Sequence, residues 1–127
     1  MVSSTRRTKL VPPSGLAAKM LKFSRSKTIN PYCSGWLVFN GDKIYVRKGA
    51  DGRFHLANWQ LKTKGTGHAT RILDYFEKLV KTDDFPFKGL KVESVGNQRF
   101  AAFFRKREGW VEVGDGLPFV PTFLYDA

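Results

Sequence analysis

A glycine-rich turn joins a strand pattern to a helix pattern in the middle of the chain. Its sequence is Lys62-Thr-Lys-Gly65-Thr-Gly67-His-Ala69. An alternating apolar run comes before it, and a run with helical spacing follows over residues 67–81. The free backbone N–H groups and the dipole of a helix start suit a phosphate. The turn therefore predicts a strand–helix unit with a candidate anion-binding start.

A second segment, residues 95–110, has the pattern of a short helix that directly follows a strand. Phe100, Phe103 and Phe104 recur at helical spacing, and Gly109 with Trp110 ends the helix. The order over the whole chain is helix, three antiparallel strands, helix, strand, helix and two strands. This order predicts an α+β fold, with helices packed on the faces of one mixed, mostly antiparallel sheet.

The first three strands occupy residues 36–39, 43–47 and 53–62, with hairpin turns between them. The third strand changes phase, because Phe54 and Leu56 have one parity while Ala57, Trp59 and Leu61 have the other. A β-bulge near Leu56 and Ala57 would restore a common apolar face, and bulges often lie beside binding sites. We expect further strands over residues 90–95, 110–113 and 119–125. The last of these could pair within the chain or across a dimer, so a monomer and a dimer are both open.

The net charge of +11 lies mainly in the N-terminal quarter of the chain. Residues 1–30 contain no acid, and their net charge is +7. Such a region favours nucleic acid, an anionic membrane face or an acidic protein, while a solubilising leader is the alternative. We predict a flexible basic arm over residues 1–13 and a single domain over residues 14–127. The cations that could bind a polyanion are Arg6, Arg7, Lys9, Lys19, Lys22, Arg25 and Lys27.

Composition excludes several classes of protein. Cys33 is the single cysteine, so it cannot form an internal disulfide. The sequence contains no cluster of histidines and cysteines of the kind that binds zinc. No apolar stretch approaches 18 residues, so no membrane span is expected. An intracellular, reducing compartment, most simply the cytoplasm, fits this cysteine usage.

Taken with the bulged strand before it and the strand–helix–Gly–aromatic unit after it, the glycine turn resembles that of the GNAT superfamily of acyl-CoA-dependent N-acetyltransferases. In that family a Gln/Arg-x-x-Gly-x-Gly/Ala loop wraps the CoA pyrophosphate, and Lys62, Gly65 and Gly67 occupy those positions. The resemblance covers residues 35–125 and implies a CoA-binding core at about residues 53–113. The family's next block is traced by Val95, Asn97, Phe104, Lys106, Gly109 and Trp110.

The resemblance implies acetyl-CoA or another acyl-CoA as cofactor. Two positions depart from the family pattern: Lys62 replaces Gln or Arg, and Phe104 replaces a Tyr that often protonates the departing thiolate. Another group or water would then do that work. The implied cofactor-binding residues are Leu61, Lys62, Lys64, Gly65, Thr66, Gly67, His68, Ala69, Arg71, Asn97 and Phe104.

Amine acylation also needs a group that removes a proton from the amine. His55, on the bulged strand, lies where family members often place this base. Glu93, on the following parallel strand, is a second candidate, and Tyr125, on the last strand, is a candidate acid. Ordinary surface roles remain the alternative for His55 and Glu93.

Two functions of different classes follow from these patterns. The first is an N-acyltransferase that moves an acetyl or other acyl group to a primary amine on an unknown acceptor, one that is acidic or associated with nucleic acid. The alternative is a non-catalytic GNAT-like module that binds nucleic acid or a partner protein through its basic N-terminal region. A basic nucleic-acid-binding fold unrelated to acyltransferases is disfavoured, because the aromatic residues follow core periodicities rather than an exposed stacking row.

Overall fold

The computed structural model describes residues 10–26, 34–49, 51–62, 67–83, 85–93, 98–113 and 121–127. Within these ranges the order of helices and strands is the one that the sequence predicts. The elements are α1 (Gly15–Arg25), β1 (Ser34–Phe39), β2 (Asp42–Lys48), β3 (Arg53–Gln60), α2 (His68–Leu79), β4 (Gly89–Val92), α3 (Gln98–Lys106), β5 (Trp110–Val113) and β6 (Thr122–Asp126).

Six strands form one mixed sheet in the order β1-β2-β3-β4-β6-β5. The pair β3–β4 is parallel, and the other neighbouring pairs are antiparallel. The predicted α+β fold with a mostly antiparallel sheet is therefore confirmed. The last strand pairs within the chain, between β4 and β5. It begins at Thr122, directly after Pro121, which has no N–H to donate to a ladder, and residues 119 and 120 of the predicted strand lie outside the described residues.

The predicted bulge in β3 is confirmed. Leu56 lies opposite Val46 and Trp59 lies opposite Ile44, so Ala57 is the extra residue on β3. In a regular strand of the same sequence, Trp59 would fall on the opposite face from Leu56, because side chains alternate along a strand. The bulge thus keeps both halves of β3 in contact with the same core.

All three helices that the structure describes pack on one face of the sheet. Phe54 of β3 contacts Phe23 in the second half of α1 and Phe76 of α2. Phe104 of α3 stacks on Phe123 of β6, with ring centroids 5.2 Å apart. The registers of β3, β4 and β6 place Phe54 and Phe123 on the same face. The core therefore lies between this face and the helices.

The N-terminal helix contributes to that core as its apolar spacing predicts. Ser14 caps α1, and its hydroxyl oxygen accepts a hydrogen bond of 3.2 Å from the N–H of Ala17. The apolar stripe is buried, whereas Lys19, Lys22 and Arg25 are exposed. No helix in the described ranges is long and apolar enough to cross a bilayer. Arg6, Arg7, Lys9 and Lys27 lie outside the described residues.

Phe54 is the residue whose truncation should weaken this core most. It is fully buried and also contacts Phe85 and Phe87. We expect Phe54→Ala to lower the free energy of unfolding by about 3–5 kcal/mol, because it leaves a cavity between two helices and the sheet. Urea unfolding followed by circular dichroism measures this. Val111→Ala is the control, since Val111 is 59% exposed, and it should change the value by less than about 0.5 kcal/mol. Equal losses in both variants would contradict this description of the core.

Candidate active site

The parallel ladder between β3 and β4 is short and ends at the bulge. β3 pairs with β4 from Arg53 to His55, whereas its pairing with β2 continues to Gln60. Within the described residues, the β4-facing edge of residues 56–60 has no strand partner. Backbone groups on such an edge can pair with an extended ligand in the manner of an added strand. Leu61, directly after this stretch, is partly buried against the core.

Helix α2 begins close to the end of this open stretch, and no side chain caps it. Gly67 is its N-cap residue, with φ of 78° and ψ of 12°, a left-handed conformation that glycine adopts without strain. The N–H of Arg71 donates to the carbonyl of Gly67 at 3.0 Å. The N–H groups of residues 68–70 therefore come before the first helical hydrogen bond. Such groups are able to bind an anion.

Cations accompany this helix start. Lys62, Gly67 and Arg71 are exposed, and His68 and Ala69 are half-buried. A Cβ atom on Gly67 would lie 3.4 Å from the Arg71 guanidinium, so this cation lies beside the turn. The other residues that the sequence assigns to the turn, Lys64, Gly65 and Thr66, lie outside the described residues, as does Asn97. Their roles stay predictions.

Asp42 joins the two ends of the turn, which the sequence did not predict. The Lys62 N–H donates to Asp42 Oδ1 at 2.7 Å, and His68 Nδ1 lies 3.3 Å from Asp42 Oδ2. Asp42 is buried. In the sequence it is only the last residue of a hairpin turn, and no local pattern connects it with residues some 20 positions away.

His55 and Glu93, two of the three predicted catalytic residues, are brought together. His55 lies on the face of the sheet opposite the described helices, since its neighbours Phe54 and Leu56 point into the core. Its Nδ1 lies 3.5 Å from Glu93 Oε1, too far for a strong hydrogen bond. His55 is 8% exposed and Glu93 is 24% exposed at the side chain. A molecule that approaches this face therefore meets Glu93 first.

Two cations, on the strands that flank β3, lie close to the Glu93 carboxylate. Arg47 Nη1 donates to Glu93 Oε1 at 2.7 Å, and Lys91 Nζ lies 3.8 Å from Oε2. Arg47 pairs with His55 across the β2–β3 ladder, and Lys91 pairs with His55 across the β3–β4 ladder. The antiparallel and parallel registers thus surround one histidine with a carboxylate and two cations.

Asp51 is a further partner of His55 that the sequence did not predict. His55 Nε2 lies 3.0 Å from Asp51 Oδ1. The approach depends on Gly49, because a Cβ there would lie 2.2 Å from His55 Nε2 and 2.4 Å from Asp51 Oδ1. The one feature of the sequence that could have indicated this contact is an Asp in the hairpin turn, four residues before His55.

The pKa of the Asp51 carboxyl lies below its ordinary value. Burial raises this pKa, but hydrogen bonds from His55 and from the backbone N–H of Arg53 together lower it. The Asp126 carboxyl shows the same direction: its hydrogen bonds with Arg53 lower its pKa more than burial raises it.

Tyr125, the third predicted catalytic residue, lies away from this cluster. It is opposite Leu90 on β4 and Trp110 on β5, and it is buried on the helix-bearing face. Lys81 Nζ lies 5.7 Å from the centroid of its ring. The sheet therefore separates Tyr125 from His55, and we do not include it in the proposed site.

Phe104 and the aromatic residue after α3 contribute to packing between the helices and the sheet. Phe104 is fully buried, and its ring contacts Trp110 with centroids 4.8 Å apart. The Trp110 indole N–H donates to Glu77 of α2 at 2.7 Å, which ties α2 to β5. We place Phe104 in the core and leave it out of the proposed site. Among the described residues no group of His, Cys, Asp and Glu could hold a metal ion.

Comparison with known proteins identifies a structural neighbour. An acetyltransferase from Thermus thermophilus superposes with a TM-score of 0.54 and 17% sequence identity, over 78% of this chain and 67% of that chain. No protein-family model and no curated protein sequence matches the chain. At this identity the likeness concerns the fold, which is consistent with the GNAT fold expected from the sequence.

The lowered pKa values predict how stability depends on acid. At about pH 6 and above, well above the ordinary Asp pKa of about 4, the carboxyls of Asp51 and Asp126 are ionised in the folded and in the unfolded chain, and their hydrogen bonds contribute fully. As pH falls through their lowered pKa values the unfolded chain binds more protons than the folded one, so the free energy of unfolding decreases. We expect Asp51→Asn to make this decrease shallower, as measured by urea unfolding at about pH 2 to 6. Val111→Ala should keep the slope, and an unchanged slope in Asp51→Asn would contradict the assignment.

Proposed function

We propose that this protein is an N-acyltransferase that moves an acyl group, most simply acetyl, from acyl-CoA to a primary amine. The observation that carries the proposal is the combination of two features: the β3–β4 ladder ends at the bulge, and the next helix along the chain, α2, has an uncapped start. The similarity to an acetyltransferase structure supports the proposal at the level of the fold.

The residues near the turn fit an acyl-CoA molecule. The N–H groups at the start of α2 suit a pyrophosphate, and Lys62 and Arg71 add positive charge beside it. The open edge of β3 offers backbone partners to the amide groups of pantetheine. When bound, acyl-CoA supplies a thioester carbonyl that reacts with amines. Lys64, Gly65, Thr66 and Asn97 belong to this proposal on their sequence positions alone.

The amine gives its proton to the cluster of Asp51, His55 and Glu93, which lies on the face of the sheet opposite the described helices. Transfer forms one C–N bond, breaks the C–S bond of the thioester, and yields an amide, a thiol and no net change in protons. Glu93 is the more exposed acceptor of a proton and His55 lies behind it. Asp51 fixes the His55 ring through Nε2, so that Nδ1 faces Glu93. A proton taken from the amine is thus held between a carboxylate and an imidazole.

Water is the proposed proton source for the departing thiolate, and the proton held by Glu93 and His55 passes to the hydroxide that remains, which regenerates the base. Phe104 has no proton to donate, and Tyr125 lies on the other face of the sheet. A thiolate leaves readily, so the loss of a positioned acid costs less here than it would for an alkoxide. We therefore expect a working enzyme without the tyrosine that family members often carry.

Gly67→Asp tests the cofactor site. The new carboxylate would compete for the α2 N–H groups and repel a phosphate, so we expect CoA affinity to fall by a factor of about 100. Isothermal titration of CoA and acetyl-CoA measures this. Gly67→Asn is the matched control: it has the same size and tolerates the left-handed conformation, but it adds no charge. Wild-type affinity in Gly67→Asp would remove the proposed site.

Glu93→Gln tests the proposed base. The amide has almost the same shape but cannot accept the amine proton, so we expect kcat to fall about 100-fold or more with little change in CoA affinity. His55→Gln should lower kcat in the same sense. The control is Glu112→Gln, which removes an exposed ion pair with Arg105 on the helix-bearing face. Single-turnover assays with a panel of amines give the rates, and equal rates in Glu93→Gln and the control would exclude this base.

A non-catalytic module that binds nucleic acid is the second candidate. The observation that favours it is α1, whose exposed side carries Lys19, Lys22 and Arg25 while the helix contains no acid. Binding of this kind weakens steeply as salt rises, because phosphate contacts release counterions. Fluorescence anisotropy with labelled RNA and DNA at increasing salt distinguishes the two functions. Absent or salt-insensitive binding would remove the second one.

A further inference from the structure

Asp42 occupies an unusual place for a hairpin residue. The turn between β1 and β2 has Asn40 at φ of 52° and Gly41 at φ of 88°, the left-handed pair typical of a tight two-residue hairpin. This geometry leaves Asp42 as the first residue of β2, where it faces the helix-bearing side of the sheet and is buried. Its carboxylate needs partners there, since an unpaired buried charge is costly.

Lys62 and His68, which contact this carboxylate, flank the glycine turn. Asp42 Oδ1 accepts the 2.7 Å hydrogen bond from the Lys62 N–H, two residues after the end of β3. The same end is held by a second contact, because a Cβ on Gly41 would lie 2.8 Å from Cδ of Lys62. The Lys62 stem therefore lies directly against the hairpin turn.

The other carboxylate oxygen contacts the first residue of α2. Asp42 Oδ2 lies 3.3 Å from His68 Nδ1, and His68 is only 14% exposed at the side chain. His68 Nε2 is buried without a hydrogen-bond partner in the described part of the chain. The Asp42 contact therefore accounts for one of the two polar atoms of this ring. One carboxylate thus contacts the end of the strand and the start of the helix.

We infer that Asp42 is a positioning residue for the acyl-CoA site. Because it contacts both Lys62 and His68, it fixes the distance between them. This inference rests on the proposed function and uses only the two flanks of the turn. The six Cα–Cα steps from Lys62 to His68 could otherwise span up to about 20 Å. Holding both ends in the binding geometry lowers the conformational entropy that a ligand must remove. Asp42 touches no ligand itself and acts through the N–H groups and cations that it positions.

The test compares Asp42→Ala with a matched aspartate elsewhere. Asp126 also holds two bonds, each 2.8 Å long, to Arg53, but it lies on β6 away from the turn. In the full chain we expect Asp42→Ala to weaken CoA binding about tenfold, comparable with the contribution of one hydrogen bond. Asp126→Asn should stay within about twofold of wild type. At saturating acyl-CoA the kcat of Asp42→Ala should equal that of wild type, while KM rises.

A milder variant keeps the inference testable if Asp42→Ala does not fold. Asp42→Asn retains one oxygen for the Lys62 N–H but loses the charge that faces His68, and it should weaken CoA binding about threefold. Unchanged CoA affinity in the Asp42 variants, or an equal loss in Asp126→Asn, would overturn the positioning role.

A readout without ligand separates this inference from the proposed function. In the free protein, Asp42→Ala should speed amide exchange at Lys62 and shift the ¹⁵N resonances of the His68 ring, because Nδ1 loses its partner. Unchanged exchange and ring resonances would overturn the inference even if CoA binds. If wild-type protein binds no CoA while these signals do change, Asp42 still joins the two segments, and it is the proposed function that fails.

Discussion

The extra residue in β3 is the constraint on which the rest of the structure depends. A regular strand would place Leu56 and Trp59 on opposite faces, and half of its apolar side chains would lose the core. With Ala57 inserted, both halves bury against the helices. The same position ends the ladder with β4 and leaves backbone groups available beside the start of α2. A device that preserves the core therefore also creates the candidate site.

Adjacent residues of β3 contact different surroundings, because one side chain packs in the core and the next lies in the polar cluster on the other face. Phe54 contacts both α1 and α2, so it connects the N-terminal helix with the helix that begins at the glycine turn. His55, the next residue, points to the other face and contacts Asp51 and Glu93. Close packing on one side holds the backbone of β3 rigidly. Because the same backbone carries the polar side chains on the other side, their positions are fixed as well. Side chains on a sheet are positioned more precisely than side chains on a loop.

Local patterns predicted the parts of this protein that depend on neighbours in sequence. The bulge was readable as a change in parity at Leu56 and Ala57, and the helix start as a glycine before an apolar helical run. The contacts of Asp42 were not predicted, because they join residues 20 or more positions apart in the sequence. The contact of Asp51 with His55 had only a weak local signal, because it depends on how the hairpin turn folds back on β3. Tyr125 shows what a correct strand prediction leaves open. Its strand was expected, but the face of the sheet on which its side chain lies depends on the register with β4.

The sequence by itself determined the order of helices and strands, the bulge, the uncapped glycine start of α2 and the separation of a basic N-terminal region from a nearly balanced body. These follow from periodicity, backbone freedom and charge, which are local properties of the chain. Only the tertiary structure decided that His55 and Glu93 meet, that Tyr125 and Phe104 lie in the core, and that one aspartate joins both ends of the glycine turn. Those outcomes depend on strand register and side-chain packing, which involve residues far apart in the sequence and leave no local pattern.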